Sequence, residues 1–386
     1  MTNTLKPHEA SARRRHSRRG WAGWLKLGVL GGGLVVGLLF AFAGGAAAAE
    51  VAPNGDIAGL KSKFVDVKGV RTRYYEYGTG EPLVLLAGGD ANHWSKNIPG
   101  LAKRFHVFAV DRIRTGMTGN PLDDSDYNDA GDIKFLYNFL QVMKLDHIHL
   151  MGHSGGGALS FYFSLAHPEM IKTLILVADG PEDPHVGFRV DDPKQQEEAR
   201  YDILAPKDPN VNLKAMVDVM VEKCAGKPNC RTLNSAYAPD VAFDEEFLAA
   251  ETFFADLPVR KEGQAKIRAG AGEPMRTKEH AAWLKAQWDR AQNEGVLQMP
   301  ILLYRGKQDS LDWPANDPAP TVRQGLATYD ILGAKNPNVK MIVMNHAGHY
   351  LMREFPDVFN QDIINFIEYW DKHSAAPQKL SSQASH

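Results

Sequence analysis

The sequence predicts an α/β protein: a doubly wound, mostly parallel sheet with an inserted helical cap. Three observations lead there. From residue 63 onward, short apolar runs alternate with stretches of helical periodicity. The runs are continuously apolar rather than alternating, as strands covered on both faces require. The alternation stops after Asp179-Gly180-Pro181 and resumes only at residue 301.

Apolar runs at 64–67, 72–77, 83–86 and 107–110, bounded by Gly, Pro and Asp, predict the first strands. Helical periodicity appears at 98–105 and at 132–143, where Ile133, Leu136, Leu140 and Met143 share a face. A strand over 147–151, a helix over 157–166 and a strand over 174–177 follow. The segment after Pro181 is polar and Pro-rich, with helix-like stretches at 216–221 and 281–288. Trp283 and Trp288 in that segment read as helix-packing residues. Strands at 301–304 and 341–344 and a helix over 357–370 complete the pattern. The expected organisation is a leader over 1–49, a core in two parts (60–180 and 299–373), a helical cap over 181–298, and a disordered tail over 374–386.

The leader has its own logic. Arg13, Arg14, Arg15, Arg18, Arg19 and Lys26 precede an uncharged stretch over 27–49 that ends in four alanines. A positive segment, an apolar segment and small residues, in that order, describe an export signal. Ser17-Arg18-Arg19-Gly20-Trp21 resembles a twin-arginine motif. The uncharged stretch is also long enough to anchor the chain in a membrane. Either reading places the folded part outside the cytoplasm, periplasmic or secreted.

Residues 1–49 hold seven Lys/Arg and one Asp/Glu, a net of +6, so the whole-chain net of −2 leaves −8 for the remainder. An acidic body without basic clusters argues against nucleic-acid partners. The membrane enters only through the leader. Cys224 and Cys230 flank Ala-Gly-Lys-Pro-Asn. In an oxidising compartment they read as a local disulfide, with two free thiols as the alternative.

The chemistry centres on Gly152-His153-Ser154-Gly155-Gly156, between a predicted strand and a predicted helix. A serine flanked by glycines at such a junction is a nucleophile elbow. Serine needs a histidine base, and the histidine needs a carboxylate to orient it. The strand over 301–304 runs into Asp309, and the strand over 341–344 runs into His349. Asp179 and Asp312 are rival acids, and His346 is the rival base. The oxyanion donors expected are the amides of Gly155 and of Gly89, on the loop after the strand over 83–86. Asp90, His153 and Tyr350 are candidates for contacting substrate. Arg112 and Arg189 read as surface salt-bridge residues, with a substrate carboxylate as the alternative. No metal or organic cofactor is expected, and the partner is a small-molecule substrate.

With Gly-His-Ser-Gly-Gly, Gly-Lys-Gln-Asp and Ala-Gly-His in order, residues 63–372 resemble the α/β-hydrolase superfamily. Asp111-Arg112-Ile113-Arg114-Thr115-Gly116-Met117-Thr118 is similar to the family's Asp-x-x-Gly-x-Gly-x-Ser/Thr loop. The end of the chain most resembles the branch with meta-cleavage-product hydrolases, which split carbon–carbon bonds in ring-opened dienoates. Ala87 stands where the family usually has histidine, and Arg114 where it has glycine. His153 and Tyr350 replace that branch's asparagine and tryptophan. The resemblance implies a serine hydrolase, and an enclosed, mostly apolar pocket under a helical cap favours small to medium hydrophobic esters. Carbon–carbon hydrolysis is the alternative, and a non-catalytic ligand-binding envelope protein is the alternative of another class.

Overall fold

A computed structural model describes residues 52–178, 236–272, 278–309 and 320–373. The leader, the tail, the stretch over 216–221, Asp179, Arg189, Asp312, Cys224 and Cys230 lie outside the described residues. Among the described residues one sheet contains eight strands. These are β1 Lys63–Val67, β2 Val70–Tyr77, β3 Pro82–Leu86, β4 His106–Val110, β5 Ile148–His153, β6 Ile171–Val177, β7 Ile301–Gly306 and β8 Val339–Met344. Their spatial order is β1-β2-β4-β3-β5-β6-β7-β8. The first two pairings, β1 with β2 and β2 with β4, are antiparallel, and all others are parallel.

The continuous hydrophobicity of the central strands now has its cause. Val84, Leu86, Leu150, Leu174 and Leu176 face one core, under helices α2 (Asp129–Met143) and α3 (Gly155–Ala166). Their neighbours Leu83, Leu85, Met151, Ile175 and Val177 face the other, with the last helix. Each strand therefore contributes every second side chain to a different apolar layer, so no position is left for a polar alternation.

The helix expected over 98–105 is one turn only, α1 (Ile98–Leu101). The chain continues to Phe105 in hydrogen-bonded turns, and Gly100 packs closely on the C-terminal helix, where a Cβ would lie 2.3 Å from Asn360 Nδ2. Between β6 and β7 the described insertion is helical: α4 (Pro239–Ala242), α5 (Glu245–Asp256), α6 (Pro258–Arg268) and α7 (Lys278–Asp289). Asp244 caps α5 by accepting from Phe247 N at 2.9 Å, and Pro258 occupies the first turn of α6. Trp288 of α7 is fully buried, its ring 5.0 Å from that of Phe161 in α3, and Trp283 packs on Tyr162 at 4.8 Å. Both tryptophans are packing residues. A helix not anticipated, α8 (Pro320–Gly333), crosses from β7 to β8. The chain ends in α9 (Leu351–Glu354) and α10 (Pro356–His373), whose Phe359, Ile363, Phe366 and Ile367 are buried. No described helix is long and apolar enough to cross a membrane.

Candidate active site

Ser154 stands between the end of β5 and the start of α3 with φ 54° and ψ −128°. Holding a non-glycine residue at positive φ takes a surrounding turn that permits nothing else. Its neighbours supply that constraint. A Cβ at Gly152 would lie 2.2 Å from the carbonyl oxygen of Gly156, and one at Gly156 would lie 2.5 Å from the carbonyl of Leu86. The Ser154 amide donates to Val177 O at 3.1 Å, and its carbonyl accepts from Gly157 N and Ala158 N at 2.7 and 3.1 Å. The elbow is thus tied to β6 on one side and to α3 on the other.

Asp309 and His349 reach each other from two adjacent loops. After β7, Asp309 N donates to Gly306 O at 3.2 Å, and Gln308 N donates to Ala347 O at 2.9 Å. The loops are so close that a Cβ on Gly306 would lie 2.3 Å from the carbonyl oxygen of Gly348. His349 Nδ1 lies 2.9 Å from Asp309 Oδ2, with both side chains buried. A carboxylate at Nδ1 makes that nitrogen the N–H donor and leaves Nε2 as the basic one. The His349 carbonyl oxygen accepts from His153 Nε2 at 2.8 Å, so the His349 backbone rests on the residue preceding Ser154. The rival His346 is exposed and bonds through Nδ1 to Tyr237 Oη at 3.1 Å.

The family description alpha/beta hydrolase fold matches residues 81–356. The chain belongs to that family. Over 121 residues it is 36% identical to 2-hydroxy-6-oxo-6-(2'-aminophenyl)hexa-2,4-dienoic acid hydrolase from Metapseudomonas resinovorans, a match covering 30% of this chain and 41% of that one. The matched stretch thus spans about two fifths of that relative. Among solved structures, Cfl2 from Burkholderia cenocepacia superposes with a TM-score of 0.56 and 21% identity, over 79% of this chain and 95% of that one. The meta-cleavage product hydrolase from Pseudomonas fluorescens IP01 gives 0.54 and 20%, over 80% and 97%. Those two likenesses concern the fold.

In this α/β hydrolase the loop after β3 lies against the elbow. A Cβ at Gly88 would stand 3.2 Å from Ser154 Oγ, and one at Gly155 would stand 3.6 Å from Gly88 Cα. The loop expected to supply an oxyanion donor therefore borders the serine. Arg112 holds it in place, contrary to the surface role expected of that residue. Its Nε donates to Ala87 O at 2.6 Å and its Nη2 to Gly88 O. Sequence reasoning missed this because a lone arginine carries no signal of the carbonyls it will meet. Asp111, fully buried, braces the same loop by accepting from Ala91 N and from Arg73 Nη1 at 2.9 and 3.0 Å, and from Met117 N at 2.9 Å. Arg114, standing where the family has glycine, has φ 68° and is held in that conformation beside Asp132 at 2.5 Å.

Aromatic rings pack around His153 and His349. Tyr350 is buried, with ring centroids 4.7 Å from Phe243, 5.1 Å from His153 and 5.6 Å from His93. Phe247 of α5 packs edge-on against His93 at 5.4 Å. Burial drives the His153 imidazole well below its usual range, so it is neutral. Burial likewise lowers His93 to about 4 and raises Asp90 to about 7, the nearby Glu251 carboxyl adding to the Asp90 shift. Asp90 is capped into the loop by Asn92 N at 2.9 Å, so it serves the loop as well as facing Glu251. His93 and Glu251 were not singled out in the sequence, because one follows β3 and the other lies on the insertion, far apart along the chain.

Proposed function

We propose that this α/β hydrolase cleaves a carboxylic ester of a small to medium hydrophobic substrate through an acyl-enzyme on Ser154. The observation that carries the reading is the buried His349–Asp309 pair at 2.9 Å, on loops beside a strained serine. His349 Nε2 would take the Ser154 proton as Oγ attacks the carbonyl, and Asp309 would hold the ring and stabilise the imidazolium. The amides of Gly155 and Gly89 would receive the oxyanion. The imidazolium would return its proton to the departing alcohol, and water would then release the acid by the same route. The leader supports action outside the cytoplasm.

Carbon–carbon hydrolysis is a second reading, favoured by the 36% match to a dienoic acid hydrolase. His153 and Tyr350, where that branch carries asparagine and tryptophan, favour the ester. Incubation with a fluorophosphonate is expected to label Ser154 in the wild type and not in Ser154→Ala. Turnover of p-nitrophenyl butyrate should vanish with it. A labelled protein that hydrolyses a ring-opened dienoate and no ester would transfer the assignment to the second reading. An active preparation without a Ser154 adduct would remove both.

A further inference from the structure

We propose that Asp90, His93 and Glu251 form a binding site for one divalent cation of the zinc type. One ligand atom from each of the three lies within 4.8 Å of the others. His93 Nε2 faces Glu251 Oε1 at 3.7 Å, beyond hydrogen-bond reach. The His93 side chain is 7% exposed, and its Nδ1 has no hydrogen-bond partner. Glu251 Oε1 is likewise buried and without a partner. A buried imidazole and a buried carboxylate oxygen that meet no donor or acceptor are an unusual expense in a folded chain. Asp90, hydrogen-bonded to the Glu251 carboxyl, completes the cluster.

The surrounding charges leave the cluster to a ligand. Among the described residues, neither Asp90 nor Glu251 forms an ion pair with a lysine or arginine. Of the guanidinium groups whose charge reaches the pair, Arg73 is committed elsewhere, and Arg353 acts on Glu251 through space without a hydrogen bond to it. Arg73 binds Asp111 and Asp56, both at 3.0 Å. Arg353 donates to the carbonyls of Ala242 and Asn92 and lies 3.7 Å from Asp244. Two carboxylates and one neutral imidazole are the donor set that a borderline dication prefers, and the pair of negative charges balances it. Zinc bonds of about 2.0–2.2 Å require the donors to draw together. Glu251 can supply that movement, because its side chain is 28% exposed while Asp90 and His93 are fixed in the loop.

The placement gives the cation a role. His93 Nε2 would lie 2.4 Å from a Cβ on Gly89, so an ion held there sits against the proposed oxyanion donor. It would tie α5 of the insertion to the β3 loop. The inference stands apart from the ester reading, since it is measured without substrate.

The test is equilibrium dialysis of the full chain, stripped with a chelator, against Zn²⁺ alone, with bound metal counted by plasma mass spectrometry. The wild type is expected to retain one more zinc per chain than the double variant His93→Gln/Glu251→Gln. Each single variant should lose that zinc at concentrations at least ~10–100-fold higher. Circular dichroism and urea unfolding establish that the variants are folded. Co²⁺ in place of zinc should give a visible absorption band that the double variant lacks. Equal zinc content in wild type and double variant, with both folded, would overturn the proposal and leave the carboxyls sharing only a proton.

Discussion

At Ser154 the backbone takes φ 54°, a conformation costing a non-glycine residue about 1–2 kcal/mol, and the contacts at Gly152 and Gly156 impose it. Such a site can be read from sequence, because only glycines satisfy it, and the motif shows them. Arg112 is the opposite case. Its side chain acts through the carbonyls of Ala87 and Gly88, and those contacts exist only once β3, β4 and the elbow have assembled. Arg112→Met should leave two loop carbonyls without their donors, costing about 1–3 kcal/mol of stability. If the loop then drifts, the oxyanion amides lose alignment, and kcat should fall ~10²–10³-fold with KM little changed. Arg112→Lys, able to reach one carbonyl, should lie between. Denaturant unfolding and ester kinetics on the three proteins check this. A loss confined to KM would mean that Arg112 contacts substrate instead of positioning the loop.

Along the elements, what was legible is what burial writes into side-chain order. The central strands appear as apolar runs because both faces of the sheet are covered there, whereas the edge strands β1 and β8 are only partly buried. Asp309 and His349 could be located because each follows a predicted strand. Helix α8 escaped notice although Pro320 opens it and Gly333 ends it, and α1 gives way after Leu101 to hydrogen-bonded turns. His149 is a polar residue inside β5 that no pattern explains. Its ring is fully buried, with Nδ1 3.0 Å from Thr173 Oγ1. Burial, with Lys172 adding to it, lowers its pKa to about 4. The unfolded chain gains this proton near pH 6.5, while the folded one resists it until about pH 4. The neutral ring's contribution is therefore complete above pH 6.5 and is lost as pH falls from there to 4, by about 3 kcal/mol. His149→Gln, which keeps a partner for Thr173 and cannot take the proton, should flatten that part of the stability profile. Urea unfolding at pH 7, 5.5 and 4 measures it; parallel profiles for variant and wild type would assign the acid sensitivity to other groups.

For the molecule as a whole, the question is what joins the insertion, the loop after β3 and the C-terminal helices, which are remote in sequence. Arg353 meets all three. From α9 its Nε donates to Ala242 O of α4 at 2.7 Å, and its Nη1 donates to Asn92 O and Ser95 Oγ, each at 2.9 Å. Its guanidinium lies 3.9 Å over the ring of Phe247 in α5. Burial lowers its pKa to about 10, which still leaves it charged at neutral pH. The ionic partner is the lesser part, since Asp244 stands 3.7 Å away and its side chain is 47% exposed, where a pair is worth about 1 kcal/mol or less. The carbonyls are the greater part, because buried acceptors stripped of a charged donor recover nothing from water. Arg353→Met should therefore cost about 3–5 kcal/mol and lower Tm by about 10 °C. Asp244→Asn, which can still cap α5, should cost about 1 kcal/mol at most. Calorimetry on both variants separates the two contributions: similar losses would make the ion pair, and not the carbonyl bonds, the joint between the three segments.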